Sequence, residues 1–122
     1  MKKILIIEDD EILVRMYQKR LISEGYDVIE ARDARTGLTQ AQTKKPDLIL
    51  LDIMLPGGMN GFDVLEQLKQ DESTKDSPVL ILTNLESEEK VAKEIGATGY
   101  LVKVNAKPDQ VIAAINELLA NK

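Results

Sequence analysis

The sequence predicts an α/β fold in which five parallel strands alternate with five helices that cover both faces of the sheet. Three observations carry this. Short runs rich in Ile, Leu and Val alternate with longer amphipathic stretches, the pattern of repeated βα units. Runs such as Ile4-Leu5-Ile6-Ile7 and Leu48-Ile49-Leu50-Leu51 are apolar without alternation, as strands buried on both faces require. Helix start and stop signals fall between the runs.

In order, the first strand is Ile4–Ile7. Asp9 or Asp10 can cap the first helix, which runs to about Glu24 and ends at Gly25. Tyr26–Ile29 is the second strand. Asp33 can cap the second helix, and Lys45-Pro46 closes it. Leu48–Leu51 is the third strand. Gly61 stands near the start of the third helix, whose apolar face is Val64, Leu65 and Leu68. Val79–Leu82 is the fourth strand. Ser87 can cap the fourth helix, with Glu88 and Glu89 favouring the positive end of its dipole, and Gly96 ends it. Tyr100–Val102 is the fifth strand. Pro108 suits the first position of the last helix, whose stripe is Val111, Ile112, Ile115, Leu118 and Leu119.

The 122 residues are expected to form one domain, 1–122, that ends after the fifth helix with no room for an output domain. Apolar residues at 43% argue against disorder, and aromatics at 3% leave an aliphatic core. The chain has no Cys, which excludes disulfides, thiolate metal sites and cysteine nucleophiles. It has no His, so it carries no histidine base and no internal phosphohistidine. With 16 basic and 21 acidic residues the formal charge is −5, which disfavours direct nucleic-acid binding. No apolar run reaches a membrane span, and the run after Met1-Lys2-Lys3 stops at Glu8, too short for a signal peptide. A cytoplasmic location, with no membrane partner, is the default expectation.

Sites in open parallel α/β sheets form at the carboxyl ends of the strands. There the sequence gathers Glu8-Asp9-Asp10, Asp52, Thr83 and Lys103. Clustered carboxylates repel, and a cation relieves the cost. Mg2+ takes oxygen ligands, which Asp9, Asp52 and the Met54 carbonyl can supply. An Asp carboxylate beside such a cation can attack phosphorus, and the transfer chiefly needs positioning and charge neutralisation. Lys103 can neutralise one phosphoryl oxygen and Thr83 can donate to another. Singly, each residue has an ordinary reading: a helix cap for Asp9 or Asp10, a solvated lysine for Lys103, a β-branched strand residue for Thr83. Asp52 is harder to dismiss, because an unpaired carboxylate after four apolar residues is costly. Their coincidence at strand ends favours the functional reading.

As an ordered set, these pieces resemble the response-regulator receiver family of two-component phosphorelays over essentially the whole chain. The matching segments are Ile4-Leu5-Ile6-Ile7-Glu8-Asp9-Asp10, Pro46-Asp47-Leu48-Ile49-Leu50-Leu51-Asp52-Ile53-Met54-Leu55-Pro56, Met59-Asn60-Gly61, Ile81-Leu82-Thr83 and Gly96-Ala97-Thr98-Gly99-Tyr100-Leu101-Val102-Lys103. The resemblance implies a flavodoxin-like, doubly wound (βα)5 sheet of order 2-1-3-4-5. It implies that Asp52 is the phosphoacceptor, and that Asp9 holds Mg2+ directly while Glu8 does so through water. Thr83 becomes the hydroxyl that moves to the phosphoryl group, Tyr100 the aromatic that turns from outward to inward with it, and Lys103 the partner of the phosphoryl oxygens. The implied donor is a histidine kinase or histidine phosphotransfer protein, and the output is a surface of the fourth helix, fifth strand and fifth helix read by a downstream protein. Such a chain is not an enzyme beyond transfer to its own Asp52 and slow autodephosphorylation.

The sequence departs from the family pattern in three places. Pro56-Gly57-Gly58-Met59 is one residue longer than usual, which predicts a wider loop beside the metal. Val104 follows Lys103 where the family has a cis proline, which predicts a trans bond and a different path through Asn105-Ala106. The span from Thr83 to Gly96 is short, which predicts a trimmed fourth helix, and Asn84 is bulkier than the usual residue after the switch hydroxyl. The first helix also carries a broad apolar set, Ile12, Leu13, Val14, Met16, Tyr17, Leu21 and Ile22. Either Ile12 and Met16 help dock the kinase, or the helix has a wide core face.

Other readings fit less well. A flavin carrier of the same fold needs a phosphate loop where Glu8-Asp9-Asp10-Glu11 stands. An aspartyl phosphatase needs a second acid two residues after its nucleophile, where Met54 stands. A receiver-like interaction module that works without phosphorylation is the principal alternative.

Overall fold

The apolar runs pair into one parallel sheet because each strand can bury both of its faces. The computed structural model describes residues 1–120, so Asn121 and Lys122 of the expected domain lie outside the described residues. The order of elements is β1 (Lys3–Ile7), α1 (Glu11–Ser23), β2 (Asp27–Ala31), α2 (Ala34–Lys44), β3 (Leu48–Leu51), α3 (Gly61–Gln70), β4 (Val79–Thr83), α4 (Glu89–Ile95), β5 (Gly99–Val102) and α5 (Pro108–Ala120). The strands lie in the order β2-β1-β3-β4-β5, as the resemblance implied. Successive side chains point to opposite faces. Leu5 and Ile7 therefore join Ile49 and Leu51 in a core roofed by Leu38 of α2, Leu65 of α3 and Ala92 of α4. Ile4 and Ile6 join Leu48 and Leu50 in a second core under Tyr17 and Leu21 of α1 and Ile115 of α5.

Most expected boundaries hold. The Asp10 side chain caps α1 by accepting from the Ile12 and Leu13 N–H groups, and that of Asp33 caps α2 through Thr36. Asn60 and Asp63 close a reciprocal capping box on α3. Gly25 leaves α1 at φ +94°, which only glycine adopts without strain. Pro108 opens α5.

Two boundaries differ. The second strand is Asp27–Ala31, not Tyr26–Ile29, because the Tyr26 N–H closes the end of α1 on the Leu21 carbonyl. Ser87 does not cap α4. The N-cap is Glu88, already near helical backbone at φ −109° and ψ 8°, and it makes no side-chain cap bond. A side-chain cap needs extended backbone at that position. The helix is trimmed to seven residues, as its short span predicted.

Within α1 only Val14, Tyr17 and Leu21 are fully buried. Leu13 and Met16 pack on the core from its edge, whereas Ile12 is 82% exposed. The wide core face thus accounts for Met16 but not for Ile12.

Candidate functional site

The ladder continues one residue past the strand ends and thereby sets the site. The Asp52 N–H donates to the Ile7 carbonyl at 3.0 Å, and the Glu8 N–H to the Ala31 carbonyl at 3.0 Å. The Lys103 N–H donates to the Thr83 carbonyl at 2.8 Å. Glu8 and Asp52 follow paired residues, since Ile7 faces Leu51 in register. Both are only 4% exposed, while Asp9 lies open to solvent.

Oxygens of Glu8, Asp9 and Asp52 lie within 4.8 Å of one another. The Lys103 ammonium reaches into this group, 2.8 Å from Asp52 Oδ2 and 2.5 Å from Glu8 Oε1. The remaining oxygens meet backbone donors. Asp52 Oδ1 accepts from the Met54 N–H at 3.1 Å, and Glu8 Oε2 from the Asp10 N–H at 3.0 Å. Residue 54 thus lies with its backbone against the Asp52 carboxylate, while its side chain is 56% exposed.

Charge follows this geometry. Burial raises the Glu8 pKa and the nearby Asp52 charge adds to it, against the lowering effect of Lys103 and the Asp10 N–H. For Lys103, burial alone lowers the pKa, but hydrogen bonds to Asp52 and Glu8 and the charge of both acids raise it on balance. Lys103 is therefore firmly an ammonium.

Thr83 is fully buried at the end of β4, and its hydroxyl accepts only a long 3.5 Å bond from the Leu85 N–H. Tyr100 differs from the expectation of an outward side chain. It is already buried, and its hydroxyl donates to the Leu85 carbonyl. That carbonyl belongs to the irregular stretch before α4, so trimming the helix leaves an acceptor for the phenol. Burial raises the Tyr100 pKa, as do the charges of Glu88, Glu89 and Asp52.

The departures appear as expected. Gly57 sits at φ +89° with open space around its Cα, and the loop borders an open cleft of about 400 Å³ with Asp33 and Arg35 on its far wall. No peptide bond among the described residues is cis, so Lys103-Val104 is trans. The Ala106 N–H closes a turn on the Val102 carbonyl, leaving Val104 72% exposed.

Two residues escaped the sequence reading. Leu85 supplies the carbonyl for Tyr100, which nothing in its side chain signals. Gly61 abuts the phosphoacceptor strand: a Cβ there would lie 2.3 Å from the Asp52 carbonyl oxygen and 2.5 Å from the Ile53 Cα. The Asn60-Gly61 pair marked a helix start, and the close approach could have been suspected from that glycine.

Residues 4–116 match the response regulator receiver domain. The chain is 42% identical over 120 residues to the alkaline phosphatase synthesis transcriptional regulatory protein PhoP of Bacillus subtilis, covering 97% of this chain and 48% of that protein. It is 35% identical to protein PilH of Pseudomonas aeruginosa, covering 98% of this chain and 99% of PilH. A CheY-like receiver domain protein from Methanospirillum hungatei superposes with a TM-score of 0.90 at 30% identity, covering 99% and 95% of the two chains. The chain spans about half the length of PhoP. Among the described residues no helix is long and apolar enough to cross a membrane. The strand order, the residues at the strand ends and these likenesses agree, and the chain belongs to the response regulator receiver domain family of two-component systems.

Proposed function

We propose that Asp52 accepts a phosphoryl group from a phosphohistidine on a separate protein, a histidine kinase or histidine phosphotransfer protein. One observation carries this reading: a buried carboxylate at a strand end shares one ammonium with Glu8 and stands beside Asp9. The donor set is all oxygen, which suits Mg2+ rather than a softer metal. Glu8, Asp9, Asp52 and the Met54 carbonyl would hold it. When bound, Mg2+ would offset the negative charge that gathers as the phosphoryl group approaches three acids.

The chain's own residues supply the rest. An Asp52 oxygen forms the new P–O bond while the P–N bond to the donor imidazole breaks, and the imidazole leaves with the electron pair and takes up a proton. Lys103 pairs with the phosphoryl oxygens. Thr83, weakly held by Leu85, is free to turn its hydroxyl toward them. Movement there would pull on the stretch that Tyr100 holds and reshape the surface of α4, β5 and α5 for a downstream protein. Ile12, exposed on the first turn of α1, is offered to the donor protein beside the acids.

Incubation with acetyl phosphate and Mg2+, followed by intact mass, tests the reading. A single phosphoryl adduct in the wild type and none in Asp52→Ala supports it. The buried Tyr100 favours one second reading, a partner surface already set without phosphorylation. Equal partner binding by wild type and Asp52→Ala under phosphorylating conditions would select that reading.

A further inference from the structure

Each oxygen of the two buried acids already has a protein donor. Asp52 Oδ1 accepts from the Met54 N–H and Oδ2 from Lys103, while Glu8 Oε2 accepts from the Asp10 N–H and Oε1 from Lys103. Lys103 is thus a bridge between two carboxylates rather than a partner of one. The bridge depends on chain length at position 8. Glu8 carries one methylene more than an Asp would, and its Oε1 comes to 2.5 Å from the ammonium. Asp9 is the one acid of the three that stays open to solvent.

We propose that Lys103 is the resident cation of this pocket, parked there by Glu8, and that a divalent ion gains its oxygens only by displacing Lys103 from Glu8. The inference rests on the Mg2+ reading of the site and adds an order to it. The ion enters first at open Asp9. Lys103 then swings away from Glu8, and only then is its ammonium free to meet a phosphoryl oxygen. Two like charges this close in a buried pocket need a cation at all times, so one cation replaces the other without leaving the acids bare. Because linkage is reciprocal, whatever weakens the Lys103 bridge must strengthen Mg2+ binding by the same factor.

The experiment is an Mg2+ titration of the full chain by calorimetry, for the wild type and Lys103→Met, which keeps an unbranched stem and removes the charge. The expected result is tighter Mg2+ binding by the variant, by roughly 5–150-fold, the usual range of such coupling. A second measurement needs no variant. In the wild type, the side-chain ammonium resonance of Lys103 should shift as Mg2+ saturates the site. Equal affinity in both proteins, or an unmoved Lys103 resonance at saturation, overturns the displacement while leaving the Mg2+ reading intact. Absence of Mg2+ binding by either protein overturns the Mg2+ reading, and the inference falls with it.

Discussion

Replacing Gly61 with Ala tests how the phosphoacceptor is held. The glycine opens α3, its N–H donates to the Ile53 carbonyl at 2.8 Å, and its Cα presses on the backbone that carries Asp52. The added methyl would meet the Asp52 carbonyl oxygen at 2.3 Å and the Ile53 Cα at 2.5 Å, where 3.4 Å begins ordinary contact. Both obstacles are backbone, so no rotamer change relieves the clash. Either α3 backs away or the end of β3 moves, by about 1 Å in all. Overpacking of this kind costs about 1–3 kcal/mol, and a reacting group displaced by about 1 Å loses on the order of a hundred-fold in rate. Urea unfolding should therefore show a lower midpoint at unchanged slope. The rate of adduct formation with acetyl phosphate, followed by intact mass, should fall about a hundred-fold. A Gly61→Ala protein with wild-type stability and rate would refute the claim that this contact positions Asp52.

Three other outcomes are expected. Burial lowers the Lys69 pKa from 10.5, and its amine donates to the Lys75 and Ser77 carbonyls. A depressed lysine contributes stability above its unfolded pKa and loses it as pH falls through its lower folded value. Wild-type stability measured against Lys69→Met should therefore rise as pH climbs from neutral toward 10.5, and a flat difference would contradict this. Thr83→Ala should still accept phosphate at Asp52 but lose the phosphorylation-dependent change in hydrogen exchange across residues 84–88, and an undiminished change would count against the switch. Ile12→Asp should leave stability within about 0.5 kcal/mol, since the side chain is exposed. It should slow transfer from a phosphohistidine donor by roughly five-fold or more, the effect of one contact worth about 1 kcal/mol, and an unchanged transfer rate would remove Ile12 from the docking surface.

The fold was legible because strands covered on both faces leave an unmistakable trace. Ile4–Ile7 and Leu48–Leu51 alternate between two cores, so every position must be apolar. Caps such as Asp33 and terminators such as Gly25 act within a few residues and can be read locally. Glu8, Asp9 and Asp52 come together at one edge of the sheet, where strand-end logic put them. Less was visible where a residue's partner lies far along the chain. Tyr26 looked like the start of a strand, yet its N–H serves α1 and its hydroxyl bonds Asn116. Tyr100 is turned inward by a carbonyl fifteen residues away. The bridging of two acids by Lys103 depends on side-chain reach across 95 and 51 residues, which no local pattern encodes.

The account stands or falls on whether Asp52 itself takes the phosphoryl group. Phosphorylated protein treated with borohydride has its acyl phosphate reduced, turning the modified aspartate into homoserine that peptide mass spectrometry locates. The account predicts homoserine at position 52 alone. Homoserine at Asp9 with residue 52 unchanged would contradict it.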